Sequence, residues 1–221
     1  MRALTLAGLL LTAGSAHAFQ CKPVHEVWVP AQAVAPLAFV VVESNVGLDP
    51  LLASPPHFVD AEAAPVPAQV ERLGHQAVLR PTRPLKGTAR LVLPQGWPAP
   101  APWPVAPAAN PPQWAADPKL IDQDDRDMGR YGPSWSRIVQ VEAPGATLVQ
   151  ITVPQPLGPA AVRYLAVLDG TVNLGTHPCA VGLGSVLKPG PNAVTLRPVG
   201  AGGALGEPRP LAIPGPRAPQ P

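Results

Sequence analysis

Short apolar runs of about five to seven residues recur along this chain, and most of them alternate with polar positions. Leu91 and Leu93 fall on one face of such a run and Arg90 on the other, and residues 147–153 alternate in the same way. A period of two is typical of a β-strand with one buried face. These runs therefore predict strands, and no stretch between them has the 3.6-residue period of an amphipathic helix.

The predicted strands fall into two groups. They span residues 26–29, 37–42, 68–72, 76–80 and 89–93 in the first half, and 135–142, 147–153, 162–168 and 193–197 in the second. Turn-forming dipeptides such as Pro144-Gly145 and Asp169-Gly170 separate several of them. Short strands with frequent turns are typical of β-sandwiches, so we expect an all-β protein made of two sandwiches.

Composition narrows the fold class further. Of the 221 residues, 34 are Pro and 20 are Gly, and charged residues make up 14%. Proline lacks an amide donor and clashes with the preceding helical turn, so this content excludes a helical bundle. Low charge and recurrent Val and Leu runs disfavour a disordered chain. The continuous apolar run at 37–42 predicts a strand that is covered on both faces.

The two groups of strands are separated by a proline-rich stretch. From Pro98 to Pro104 every second residue is proline. That spacing favours an extended, polyproline-like conformation, and it predicts a stiff linker over residues 97–118 that holds the two halves apart. The predicted organisation is a signal peptide at 1–18, a sandwich at 19–96, the linker at 97–118, a second sandwich at 119–213 and a disordered tail at 214–221.

The N-terminus has the three parts of an export signal. Met1-Arg2 is basic, residues 3–13 are mostly apolar, and Ser15-Ala16-His17-Ala18 ends in small residues. We expect a secretory signal peptide that is cleaved after Ala18, and hence a periplasmic, cell-surface or secreted protein without a transmembrane segment. A buried N-terminal helix and a lipoprotein attached through Cys21 are the alternatives.

The predicted location affects how charge and cysteine content are interpreted. The formal net charge is +2, and it falls to about +1 when Arg2 leaves with the signal peptide. Near-neutral charge does not attract phosphate, so nucleic acid is not expected as a partner. Cys21 and Cys179 are the two cysteines of the chain. In an oxidising compartment an isolated pair is more often bridged than free, so we predict a disulfide between them, with two separate thiols as the alternative.

Four carboxylates lie within six residues, at Asp122, Asp124, Asp125 and Asp127. Carboxylate oxygens are the ligands that Ca²⁺ prefers, so these residues are a candidate calcium site, and Ca²⁺ is the one cofactor that the sequence suggests. Arg126 stands where an EF-hand loop has its third ligand. For that reason a solvated loop without an ion is the favoured alternative.

Aromatic side chains concentrate in and beside the predicted linker. Trp103 and Trp114 are candidate ligand-binding residues, because tryptophan offers sugars and peptides a rigid contact area at low entropic cost. The alternative is that these rings pack back onto the two halves and fix the angle between them.

The sequence lacks the common motifs of catalysis. Gly182-Leu183-Gly184-Ser185-Val186 approaches the Gly-x-Ser-x-Gly elbow of serine hydrolases, but its serine is displaced and no glycine follows. There is no glycine-rich phosphate loop, no His-Glu-x-x-His and no Cys-x-x-Cys. We therefore expect a protein that is not an enzyme.

Two sets of turn and strand residues resemble known module families. Val29-Pro30-Ala31 and the stretch at 79–88 resemble the bacterial Ig-like modules of exported proteins. Lys188-Pro189-Gly190, followed by Val194-Thr195-Leu196, is similar to fibronectin type III-like modules. The pairing is similar to exported proteins of myxobacterial type. This resemblance implies two Ig-like or fibronectin-like sandwiches in an exported protein, and it carries over no catalytic residue.

Together these expectations describe a binding or structural component of the cell envelope. We expect it to contact a protein partner through loops and exposed strand edges, because an edge strand can pair with an extended peptide. One alternative is a carbohydrate- or peptidoglycan-binding module that uses Trp103 and Trp114. Another is a secreted inhibitor or accessory protein that presents a rigid loop at residues 47–56.

Overall fold

The structure is a computed structural model that describes residues 22–29, 39–107, 110–127, 133–176 and 186–217. In these ranges the chain is nearly all β and its strands pair in antiparallel sheets, so the all-β prediction is confirmed. The same ranges contain one α-helix of five residues and a 3-10 turn at Ala201–Gly203. No described helix has the length and apolar character needed to cross a bilayer.

The first half forms one sheet that folds back on itself. Its elements are β1 (His25–Trp28), β2 (Val40–Ser44), α1 (Asp49–Ala53), β3 (His57–Val59), β4 (Pro65–Leu73), β5 (Gln76–Pro81), β6 (Thr88–Val92) and β7 (Trp103–Pro104). The strand order is β1-β2-β5-β4-β3-β6-β7. Residues 68–73 of β4 pair with β5, whereas residues 65–67 pair with β3, so β4 turns the corner between two layers.

The two layers of the first half enclose a core. We call β1, β2, β5 and residues 68–73 of β4 the inner layer, and β3, β6, β7 and residues 65–67 of β4 the outer layer. Val42 and Leu79 of the inner layer pack with Phe58 and Leu91 of the outer layer, and all four are buried. The period of two in β6 sets this geometry, because Ala89 and Leu91 point inward while the residues between and beside them stay more exposed.

The second half is built from two separate sheets. Its strands are β8 (Lys119–Asp127), β9 (Pro133–Gln140), β10 (Leu148–Val153), β11 (Ala161–Ala166), β12 (Thr171–Asn173), β13 (Pro191–Val199) and β14 (Arg209–Pro214). A three-stranded sheet has the order β12-β9-β8, and a four-stranded sheet has the order β11-β10-β13-β14. Val139 and Val172 of the first sheet share a buried core with Ile151 and Leu196 of the second.

A third core lies between the halves. Val41 and Val78 project from the inner layer of the first half, away from its own core, and pack with Leu148, Tyr164 and Val199 of the four-stranded sheet. The described chain is therefore a stack of four β-layers with three cores. Residues 39–42, the described part of the apolar run at 37–42, are all buried, so this part of the run is covered on both faces as predicted. The prediction that a proline rod holds the halves apart is wrong.

The proline-rich segment packs against both halves and is not a free spacer between them. Trp97 and Trp103 are buried in the core of the first half, and residues 103–104 form β7 against β6. Trp114 packs against the core of the second half. Indole burial outweighs the preference of the prolines for an isolated extended rod, because each ring removes a large apolar area from water. The tryptophans anchor this segment to both halves, as the alternative interpretation expected.

The C-terminal strand continues into the stretch that was predicted as a tail. Pro214 is the last residue of β14, and the amide of Gly215 donates to the carbonyl oxygen of Gly190 at 2.6 Å. Residues 214 and 215 therefore belong to the ordered second half, and residues 218–221 lie outside the described ranges.

Candidate functional site

Several predicted features lie outside the described residues. These are the signal peptide at 1–18 and both cysteines, Cys21 and Cys179. The cleavage after Ala18 and the disulfide therefore stay predictions.

The acidic cluster lies on a strand rather than in a loop. Asp122, Asp124, Asp125 and Asp127 belong to β8, which pairs with β9 on one side and forms an edge of its sheet in the described structure. Alternation along the strand sends neighbouring carboxylates to opposite faces. The sequence suggested a loop because it lacks the apolar alternation of a buried strand, and an edge strand does not need that alternation.

The carboxylates of β8 that the structure describes have partners within the chain. Asp124 forms an ion pair with Arg126 on the exposed face, and Asp125 binds Arg137 at 3.0 Å. The Asp122 carboxylate accepts the amide N–H of Gln123 at 2.9 Å. Across the described ranges, no three His, Cys, Asp or Glu side chains converge as metal ligands. The calcium site at these residues stays a prediction.

Arg137 is the largest fully buried polar side chain in the described part of the protein, with 1% of its surface exposed. It lies on β9 with its guanidinium inside the second half, and it stacks on Trp135 at 5.5 Å. Each of its N–H groups has an acceptor within 2.6–3.1 Å: the carbonyl oxygens of Pro214, Gly215, Asp124 and Ser136, and the carboxylate of Asp125. The guanidinium thereby joins the edge strand β8 to the end of β14, which belongs to the opposite sheet.

The sequence contained a signal for this buried arginine. Arg137 is two residues from both Trp135 and Val139, which are buried, so it shares their face of the strand. A charged residue at a core position is rare unless it is fully paired, so the alternation alone does not predict that Arg137 is buried. The carbonyl groups that pair with it come from residues distant in sequence, and the sequence does not reveal them.

Trp103 lies too deep to stack on a ligand in this conformation. It is 4% exposed and Trp97 is 8% exposed, and both are part of the first core. The ring of His25 stacks on Trp97 with centroids 4.4 Å apart. The indole N–H groups of both tryptophans are buried without a hydrogen-bond partner among the described residues. These rings serve packing here, and a role in ligand binding stays a prediction for Trp103.

Trp114 differs, because it lines a surface groove. Its indole Nε1 donates to the carbonyl oxygen of Glu207 at 2.8 Å, which fixes the ring while leaving it partly exposed. The groove has a volume of about 480 Å³, and we call it the Trp114 groove. Its walls are residues 110–115 on one side and Pro144, Gly145 and Gly200 on the other. A rigid aromatic beside prolines is the kind of surface that binds extended peptides or sugars.

A buried polar cluster lies where the halves meet. The carboxamide Nε2 of Gln76 donates to Glu43 Oε2 at 2.6 Å and to the backbone oxygen of Tyr164 at 2.8 Å. Its Oε1 accepts the backbone N–H of Tyr164 at 2.9 Å. Gln76 and Glu43 belong to the first half and Tyr164 to the second, so we call this three-residue cluster the clasp. Gln76 and Tyr164 are 88 residues apart, so the local sequence pattern around either of them does not predict their contact.

The clasp also occupies the edge of β11. The N–H of Val167 donates to Thr147 at 3.0 Å, and the alternation of an antiparallel ladder then directs the backbone groups of Tyr164 away from β10. The carboxamide of Gln76 pairs with those outward groups in place of another strand. Arg163 covers the next outward carbonyl, that of Val162, at 2.8 Å. This edge is therefore not free to bind a partner strand.

Glu43 is the ionisable member of the clasp, with 8% of its surface exposed. Burial raises its pKa from 4.5 to about 7, because the charged carboxylate loses most of its hydration. The hydrogen bond from Gln76 lowers this pKa, the negative charge of Glu26 raises it, and the charge of Arg163 lowers it. Burial has the largest effect, so the clasp holds a carboxyl group that titrates near neutral pH.

No protein-family model and no curated protein matches this chain.

Proposed function

We propose that this chain is an exported, non-enzymatic protein of two Ig-like or fibronectin-like sandwiches that acts as a binding or structural component of the cell envelope. Its partner is a protein, and contact is made through loops and strand edges. The leader-like N-terminus supports export, and the all-β architecture supports a binding role without identifying the partner.

The grouping of strands supports the two-sandwich assignment. In the second half the first, second and fifth strands form one sheet, and the other four form the facing sheet. That division is the one expected of a fibronectin type III-like module, and the two sheets enclose one core. In the first half, β4 crosses from one layer to the other, as strands do at the corner of a sandwich.

The observation that carries the functional proposal is the third core. Because the inner layer of the first half packs on the four-stranded sheet of the second, both sandwiches present their loops in one fixed arrangement. A fixed arrangement lowers the conformational entropy that binding must otherwise remove. The Trp114 groove lies beside the segment that connects the halves, and we assign the partner contact to it.

Site-specific photo-crosslinking in the native envelope tests this assignment. A photo-reactive residue at Gln113, on the wall of the Trp114 groove, is expected to give a defined protein adduct. The same group at Leu157, which is 92% exposed and is not among the groove residues, is the matched control and is expected to give little adduct. An unlabelled competitor added before irradiation is expected to suppress formation of the adduct, and Gln113→Arg in that competitor is expected to weaken the suppression, because it places bulk and charge at the groove.

Equal adduct yields from the two positions contradict the assignment. Adducts to glycan instead of protein support the carbohydrate alternative, which Trp114 alone of the two candidate tryptophans is exposed enough to serve. Retention on purified sacculi is then expected to fall in Trp114→Ala, with an unchanged melting temperature as the control for folding.

The inhibitor alternative rests on residues 47–56. This segment contains the short helix α1, which has Pro50 in its first turn, where a missing amide costs little. Leu48 and Leu51 are fully buried, and Leu52 is 40% exposed. The loop is therefore anchored, and Leu52 is the exposed large hydrophobic side chain that it presents. Adduct formation at Leu52, rather than at Gln113, favours this alternative.

A further inference from the structure

The contact between the halves combines an apolar core with one ionisable group. Phe39, Val41 and Val78 supply the apolar part from the first half, and Glu43 continues the same face of β2. Its carboxylate binds the carboxamide that also holds Tyr164 across the contact. A change of charge on Glu43 therefore acts directly on the hydrogen bonds that join the halves.

The charged and titratable groups around Glu43 come from each neighbouring element. On β1, Glu26 is its direct cross-strand partner. The turn before β5 carries His75, whose ring nitrogen Nδ1 lies 3.3 Å from the carbonyl oxygen of Ser44. From the second half, Arg163 is the nearby cation, but none of the ion pairs within 4 Å in the described part of the chain joins it to Glu43. An ionised Glu43 thus lacks a paired cation in a site where water is scarce.

We propose that the clasp is a proton-sensitive lock between the two halves, closed when Glu43 is protonated and weakened when Glu43 is ionised. The protonated carboxyl group needs little hydration, so it is buried between the halves at little cost. The ionised carboxylate is stabilised by hydration when the halves separate and water reaches it. This inference goes beyond the proposed binding function and does not depend on it.

The direction and range of the effect follow from the carboxyl group. In the closed state the pKa of Glu43 is about 7, and when the halves separate water reaches the carboxyl group and its pKa falls toward the ordinary value of 4.5. Below pH 4.5 both states hold the proton and closure is strongest. Between these values the separated state releases the proton first, so closure weakens as pH rises, and above about 7 the loss is complete. The difference between the two pKa values corresponds to at most a roughly 300-fold change in the equilibrium constant for separation of the halves.

Hydrogen exchange at the Tyr164 amide measures this opening, because that N–H is bonded to Gln76 across the contact. In the full chain, the protection factor of Tyr164, corrected for the intrinsic rate, is expected to fall by up to several tens-fold between pH 5 and pH 8. Ile151, which lies in the middle of β10 with neighbours on both sides, is the internal reference. Its protection factor is expected to change much less.

Two variants separate the lock from general effects of pH. Glu43→Gln keeps the shape of the protonated side chain, so Tyr164 is expected to stay protected at pH 8 and the pH dependence is expected to vanish. Glu142→Gln removes an exposed carboxylate from the second half and is expected to behave like the unmodified protein. The proposal is overturned if Tyr164 protection does not depend on pH, if Glu43→Gln retains the dependence, or if Ile151 loses protection in parallel.

Discussion

A single arginine joins the two sheets of the second half. Arg137 places its charge where an apolar side chain normally lies, and its five N–H groups are satisfied by four carbonyl oxygens and one carboxylate. Burying a charge is unfavourable unless every hydrogen bond is made, so this residue specifies the arrangement of β8, β9 and β14. Lysine cannot replace it, because an ammonium group lacks the planar fork that reaches all these acceptors.

Arg137→Met is therefore expected to lower the free energy of unfolding by about 3–5 kcal/mol, since the substitution leaves the Asp125 carboxylate and several carbonyl oxygens without their donor. Urea unfolding followed by tryptophan fluorescence measures the change.

The matched control is Arg126→Met, because Arg126 is 75% exposed and pairs with Asp124 at the surface. Its loss is expected to cost less than about 1 kcal/mol. Similar midpoints for the two variants contradict the structural role assigned to Arg137.

At the scale of elements, the sequence predicts the strands that alternate or are continuously apolar. The strands that overlap predicted runs are β1, β2, β4, β5, β6, β9, β10, β11 and β13. The prediction missed the short strands β3, β7 and β12. It also missed β8 because the strand is acidic, and β14 because it contains Pro210 and Pro214. These prolines have the same parity on an edge strand, so their missing amides can all face away from β13. Edge strands can carry charged residues and prolines in place of alternating apolar residues, so a search for apolar periodicity does not find them.

Charges on β8 protect a nine-residue edge from pairing with other chains. The double variant Asp124→Val/Arg126→Val is expected to associate at concentrations where the unmodified protein does not, with little change in melting temperature. Light scattering across a concentration series measures this association.

Ser136→Val supplies the comparison for β8. Ser136 is the cross-strand partner of Asp124 on β9, a central strand that is flanked on both sides. The added apolar surface is similar, but no free edge lies beside it, so no new association is expected. If Ser136→Val associates as readily as the double variant, the edge is not the cause.

At the scale of the whole molecule, the contact between the halves could not be predicted from the sequence. The apolar run around β2 indicates two covered faces, but an apolar side chain carries no information on which element covers it. The clasp could not be predicted either, because Gln76, Glu43 and Tyr164 are of residue types that usually lie at least partly exposed. The proline-rich composition of residues 97–118 predicted that the two halves are held apart. The halves are in contact instead, because β2 and β5 have apolar side chains on both faces and the second half covers one of them.

Gly203 tests the fit of this contact. It has a φ of +74°, and a Cβ at this position would lie inside contact distance of the Phe39 ring. Gly190 has a φ of +94° and nothing within 4 Å of such a Cβ. Both alanine variants carry the backbone cost of a left-handed residue, which is about 1 kcal/mol.

Gly203→Ala additionally displaces Phe39, so it is expected to destabilise the protein by about 1–3 kcal/mol more than Gly190→Ala. The comparison of the two urea midpoints isolates the steric part of the effect. Equal destabilisation means that Phe39 does not set the spacing of the layers.

The four-layer stack has a consequence for each half on its own. One face of each half is apolar where it meets its neighbour, with Val41 and Val78 on one side and Leu148 and Val199 on the other. If either half were produced alone, these side chains would face water and offer an apolar surface for aggregation. Each half is therefore expected to need the other in order to stay soluble.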